Sequence, residues 1–151
     1  MRRSITLSND IDEVPKLAVF VDEVCEETGI DMHIVMQLNL AIEEAVVNVM
    51  NYAYPAGTSG NVCIDIDTNE ELLTVVITDS GTPFDPTGKK EVDITLSAEE
   101  RPIGGLGIHL VRQLMDSVDY ERINGKNVLT LTKKLNQHQS TGDEKDIFND
   151  F

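Results

Sequence analysis

Positive charge is scarce in this sequence. Lys and Arg number 12 against 27 Asp and Glu, a formal charge of −15, so no broad basic face exists for DNA, RNA or anionic lipid. One bound nucleotide stays compatible with that balance, because backbone N–H groups, a divalent cation and one or two local cations can hold a triphosphate in an acidic protein. Lys89, Lys90 and Arg101 fall within one stretch and are the local cations available, although such residues are commonly solvated surface charges. Cysteine is equally sparse. Cys25 and Cys63 lie far apart without CxxC spacing, which excludes a zinc ribbon or a disulfide framework; both are expected to be small buried apolar groups. No segment approaches the ~20 apolar residues of a membrane span, and residues 1–5 lack the apolar run of a signal peptide, so a soluble cytoplasmic protein is expected. The 151 residues suit one domain, and a chain of this size buries roughly 70% of the surface it exposes when unfolded.

What is present is an ordered series of periodic segments. Residues 3–7 alternate as a short strand, and Ser8-Asn9-Asp10 reads as a helix entry. Residues 11–28 follow as a helix in which Pro15 is tolerable only in the first turn, with Gly29 as the stop. Asp31 can cap a second, longer helix carrying Val35, Leu38, Ala41, Ile42, Ala45, Val46 and Val49, which ends at Tyr54-Pro55. The period then changes to two. Val62, Ile64 and Ile66 alternate with polar residues, a polar turn spans 68–71, and Leu73, Val75 and Ile77 alternate again, so this is a hairpin. About two dozen residues from 80 to 103 lack clear periodicity, and a loop of that length in a small domain is usually functional or mobile. Leu106, Ile108, Leu110, Val111, Leu114 and Met115 restore helical spacing, and a second hairpin closes around Asn124-Gly125. Residues 136–151 are polar and mostly acidic and are expected to form a disordered tail beyond a domain of residues 1–135. This order predicts an α+β fold: a two-layer α/β sandwich in which three helices cover one face of a mostly antiparallel, mixed sheet.

Three stretches carry chemistry. On the second helix, at about 100° per residue, Gln37, Glu44, Asn48 and Asn51 project to one side, which predicts a wet seam away from Leu38, Ile42, Ala45 and Val49. Asparagine is a poor helix former, so propensity does not account for this placement. Asp79 ends a strand and precedes Ser80-Gly81; a carboxylate there can accept from an exocyclic amine, and Gly81 lets a flat base approach. Each of these residues also favours an ordinary turn. Gly104, Gly105 and Gly107 enter a helix whose first N–H groups lack intrahelical partners, which suits phosphate oxygens, although a hinge would use the same residues. The pattern is neither GxGxxG after a strand nor a GxxxxGK[ST] loop.

Taken together, Glu44-Ala45-Val46-Val47-Asn48, Asp79-Ser80-Gly81 and Arg101-Pro102-Ile103-Gly104-Gly105-Leu106-Gly107 resemble the N, G1 and G2 boxes of the gyrase, histidine-kinase and MutL superfamily with its Bergerat ATP-binding fold. The chain is most similar to the bacterial anti-sigma-factor serine/threonine kinases, over residues 5–135. The resemblance implies Glu44 as general base, Asn48 as ligand of the magnesium that bridges the phosphates, Asp79 as the adenine-reading acid with Gly81 beside it, and Gly104, Gly105 and Gly107 on the phosphates. It further implies Arg101 at the γ-phosphate or the partner, and Lys89 and Lys90 in a lid over bound ATP. Glu43, about 100° round the helix, is the lesser candidate for the base. The implied activity is transfer from Mg-ATP to a serine or threonine of an anti-anti-sigma-type protein, in competition with a sigma factor, by a homodimer. A rival expectation is an ATP-binding module that sequesters partners without phosphorylating them. Two departures from the family pattern, Val49 and Tyr52, bear on lid packing and partner choice and remove no catalytic group.

Overall fold

A computed structural model describes residues 1–87 and 105–135. Lys89, Lys90, Arg101, Gly104 and residues 136–151 lie outside them. The elements in chain order are β1 (Arg2–Ser8), a short 3-10 turn (Ile11–Glu13), α1 (Val14–Thr28), α2 (Met32–Tyr52), β2 (Asn61–Thr68), β3 (Leu72–Asp79), α3 (Gly105–Leu114), β4 (Ser117–Ile123) and β5 (Lys126–Lys134). The strands form one sheet in the order β1-β2-β3-β5-β4. All four pairings among the described residues are antiparallel; short turns account for β2–β3 and β4–β5, whereas β1–β2 and β3–β5 are joined through longer stretches of chain.

Local chemistry sets the boundaries. The expected first helix is divided: Asp10 accepts from the Asp12 amide and holds the 3-10 turn, and α1 begins only at Val14, with Pro15 in the first turn where a missing N–H costs nothing. Gly29 ends α1 in the left-handed conformation at φ 68°, which glycine adopts without a Cβ penalty. Asp31 caps α2 by accepting from the His33 amide at 3.3 Å. At the other end of the chain, Asn124 (φ 50°) and Gly125 (φ 79°) make the tight turn between β4 and β5, the two positive φ values that a two-residue hairpin of matching twist requires.

The core lies between the sheet and the helices. Ile64, Val75, Ile77, Leu129 and Leu131 project from the sheet towards Leu17, Val21, Leu38, Ile42, Val46, Val111 and Leu114, all of them buried. Each such side chain contributes roughly 1.5–3 kcal/mol by leaving water. Packing therefore overrides the modest helix propensity of the valines and isoleucines in α2. Cys25 belongs to this core and burial pushes its thiol up to about 11. Cys63 differs from expectation: it is half-buried on the sheet face away from the helices, with Sγ 3.7 Å from Asp65 Oδ2, because it falls out of phase with the inward Val62 and Ile64.

Candidate functional site

Helix α2 brings the first stretch to the place where α3 begins. A Cβ added to Gly107 would sit 2.7 Å from Glu44 Oε2 and 2.7 Å from Asn48 Nδ2, distances that carbon never keeps from such atoms. The first turn of α3 thus rests directly on the base candidate and the metal-ligand candidate, and a Cβ here would have to push the ends of those two side chains aside. Glu44 is half-buried, while Asn48 is 7% exposed with Nδ2 unpartnered. Glu43 is exposed on the α1 side of α2, which fits its lesser standing.

The wet seam expected on α2 is only partly found. Gln37 and Asn48 are buried and Asn51 is exposed. α3 packs on α2, with Gly107 against Glu44 and Asn48, and a helical projection of α2 alone carries no record of such a neighbour.

The second stretch closes the other end. Asp79, 3% exposed, stands at the end of β3. Its Oδ1 accepts from the Gly81 amide at 2.8 Å and from Asn127 Nδ2 at 2.8 Å, whereas Oδ2 is buried without a partner. Desolvation raises the Asp79 pKa above the ordinary carboxylate range, and the hydrogen bonds from Asn127 and Gly81 and the nearby Arg122 guanidinium oppose that rise. Gly81 is required on steric grounds, since a Cβ there would come within 2.3 Å of the Ala53 carbonyl oxygen. That oxygen accepts from the Thr82 amide at 2.7 Å and from Thr82 Oγ1 at 3.0 Å. The end of α2 is thereby fastened to the loop after β3. Ala53 follows Asn48 by five residues, about 7 Å of helix, so α2 carries the two clusters a short distance apart.

Two contributors were not among the sequence candidates. Asn127 bridges Asp79 to the second hairpin, and Tyr54 donates to the Asn61 carbonyl at 2.7 Å while accepting from the Ser80 amide at 3.1 Å. Asn127 had a visible signal: it shares the inward phase of β5 with Leu129 and Leu131, where a polar side chain needs a buried partner. Lys133 has the same phase, and it donates to the Leu114 carbonyl at 2.7 Å, satisfying the C-terminal end of α3. Tyr54 read only as the break after α2. Tyr52, one of the two departures, places its ring 5.6 Å from that of Phe84, at the start of the segment that leads towards the lid candidates.

Chemically, the arrangement offers a carboxylate and an amide under a helix N-terminus at one end and an acceptor-only carboxylate oxygen at the other. An orphaned amide donor and a backbone cradle without room for a Cβ fit phosphate oxygens, and the side-chain carbonyl of Asn48 is a hard oxygen donor suited to magnesium.

Comparison with known proteins agrees with this geometry. The profile described as a histidine kinase-like ATPase domain matches residues 7–133. The serine-protein kinase RsbW of Listeria monocytogenes is 31% identical over 128 residues, covering 82% of this chain and 81% of that protein. RsbW of Bacillus cereus is 29% identical, with 82% and 79% covered, and the serine/threonine-protein kinase BtrW of Bordetella bronchiseptica is 30% identical over 63% of this chain and 67% of its own. A crystal structure of RsbU and RsbW domains from Mycobacterium tuberculosis superposes with a TM-score of 0.65 at 18% identity, over 89% of this chain and 32% of that longer one, which shows the shared fold. By its profile match and its similarity to RsbW along most of both lengths, the chain belongs to the histidine kinase-like ATPase family, in the group that contains the RsbW serine-protein kinases.

Proposed function

We propose that this protein is an ATP-dependent serine/threonine kinase and anti-sigma regulatory factor of the cytoplasm, which phosphorylates a small anti-anti-sigma-type partner and sequesters a sigma factor. One observation carries the reading. Among the described residues, two buried side-chain polar atoms lack a partner, Asn48 Nδ2 and Asp79 Oδ2, and they belong to the two clusters that α2 links. Buried polar groups are rarely left unsatisfied, so both are groups that a ligand completes. A ligand with an exocyclic amine at one end and phosphate oxygens at the other matches them.

Bound Mg-ATP supplies an electrophilic γ-phosphoryl group. The protein supplies position and charge. Asp79 Oδ2 accepts from the adenine amine, and Gly81 keeps the wall beside it flat. Asn48 would hold magnesium through its side-chain carbonyl, and the N-terminal turn of α3 at Gly105 and Gly107 would offer backbone N–H groups to the phosphates, with Gly104 and Arg101 proposed to assist. Glu44 takes the proton of the incoming serine or threonine hydroxyl, a role that nucleotide binding alone does not require. The RsbW relatives, named as serine-protein kinases, support the same assignment. A homodimer, and docking of protein partners, are consistent with Met32, Met36 and Leu40, an exposed apolar row at helical spacing along α2.

Labelled ATP, magnesium and the candidate partner test the proposal. Transfer of label to a partner hydroxyl, lost in Glu44→Ala while ATP still binds, is the expected result. ATP binding without transfer in the wild type would replace the kinase by the module that sequesters without phosphorylating.

A further inference from the structure

The side chain of Asn127 uses its hydrogen-bonding capacity in one direction on each side. Nδ2 donates to Asp79 Oδ1 at 2.8 Å and to the Thr82 carbonyl at 2.8 Å. Oδ1 accepts from the Phe84 amide at 3.1 Å, Tyr120 Oη at 2.6 Å and Arg122 at 3.1 Å. All acceptors face the nitrogen and all donors face the oxygen, which fixes the amide orientation without ambiguity. The residue is 3% exposed and stands directly opposite Asp79 in the β3–β5 register. Arg122 reaches past it to donate to the Gly81 carbonyl at 3.0 Å. The β4–β5 hairpin therefore grips the loop after β3 at Asp79, Gly81, Thr82 and Phe84 through one side chain and its neighbours.

We infer that Asn127 is a positioning residue for base recognition: it engages Asp79 Oδ1 within the protein so that Oδ2 alone is presented to the ligand, as an acceptor. The inference rests on the reading of Asp79 as the group that takes the exocyclic amine. With Oδ1 already accepting from Asn127 and Gly81, the ionised carboxylate has Oδ2 left as its free acceptor, so a 6-aminopurine finds its acceptor and a 6-oxopurine meets a second acceptor. No other common side chain replaces Asn127 here. Aspartate lacks the two donors, leucine lacks both functions, and threonine is too short to bridge Asp79 and Thr82 while accepting from Tyr120.

The groups that face Asp79 are few. They are Asn127 on β5, Tyr120 and Arg122 on β4, Asp85 beyond the loop, and the Gly81 amide. Asn127→Asp keeps the shape and the acceptor oxygen but places a second carboxyl against Asp79. Such a pair shares one proton as the pH falls, and the shared proton restores a donor to Asp79 Oδ1.

The test is titration of ATP and GTP onto the full chain at pH 8 and pH 6, with thermal melting to verify folding. Wild type should bind ATP with little change between the two pH values, and Asp79→Asn should bind it poorly; failure of this first pair overturns the adenine reading itself. For Asn127→Asp, the ATP Kd should rise about thirtyfold at pH 8 and return to within about fivefold of wild type at pH 6, as a carboxyl pair that regains a proton would dictate. Wild-type affinity at pH 8, or a loss of equal size at both pH values in a folded protein, overturns the positioning role. Should Asn127→Asp not fold, Tyr120→Phe serves instead. It removes one anchor of Asn127, and it should weaken ATP about threefold while narrowing the ATP to GTP ratio, as loss of one hydrogen bond in a network does; no change in either quantity counts against the inference.

Discussion

The two ends of the candidate site are built on different principles. At the Asp79 end, hydrogen bonds converge: Gly81, Asn127, Tyr54, Thr82 and Arg122 join the end of β3, the end of α2 and the second hairpin. At the Asn48 end, among the described residues, the elements meet by contact alone, with the backbone at Gly107 laid against Glu44 and Asn48. The first end is pre-organised and commits its polar atoms to the fold, Asp79 Oδ2 excepted. The second leaves Glu44 half-buried and Asn48 Nδ2 unengaged, so its groups remain available for chemistry. Recognition of a base needs a fixed acceptor, whereas transfer needs groups whose bonds form only when the reacting atoms arrive.

The sharpest way to break this contrast is to remove chemistry from the loosely bonded end without disturbing the other. Glu44→Gln should lower phosphoryl transfer by about 10²–10⁴-fold, the usual span for a lost general base, with ATP affinity nearly unchanged; single-turnover transfer and equilibrium binding read the two separately. Gly81→Ala attacks the join between the ends. Its Cβ would collide with the Ala53 carbonyl, and a loss of about 1–3 kcal/mol in unfolding free energy by denaturant titration is expected for overpacking of this kind. A variant as stable as wild type would mean that the loop moves away at little cost.

Asp79→Asn sharpens the comparison from the opposite direction, because it should improve the fold while harming binding. Burial raises the Asp79 pKa above its ordinary value of 3.8, so the folded state holds that proton more tightly than the unfolded chain does. Stability from this group is therefore greatest at low pH and falls as pH rises from the unfolded value through the folded one. The amide variant should lack that slope and gain up to about 1 kcal/mol at pH 7 without ligand, although Nδ2 would then confront the adenine amine. A difference between wild type and variant that does not change with pH would contradict the desolvated carboxylate. The smallest effect belongs to Tyr52→Ala, which removes the ring beside Phe84 and should cost about 0.5–1.5 kcal/mol of stability, with no effect on the ATP to GTP ratio.

Much of this was legible from residue order. Gly29, Asp31 and Asn124-Gly125 mark boundaries because their conformational or capping chemistry is local. Glu44, Asn48, Asp79, Gly81 and Gly107 could be read jointly because the three motifs recur in order along one fold. The burial of Asn48 was not legible, since it depends on where α3 lands, and neither was the separation of the 3-10 turn from α1, where Glu13 and Pro15 permit several entries to the same helix. The inward phase of Asn127 was visible, but its partner was not. A single polar residue in a strand usually marks an edge or a turn, and only the pairing of β5 with β3 places it opposite Asp79.

The Ala53 carbonyl, which receives both the amide and the hydroxyl of Thr82, makes the last turn of α2 and the loop after β3 a single opening unit. Amide protons in that turn and in the loop should exchange with deuterated solvent at a common rate, since releasing one exposes the other. A nucleotide that touches only Asp79 would then slow exchange near Val49 to Ala53 as well, so occupancy at the base end reports itself along the same helix that carries Glu44.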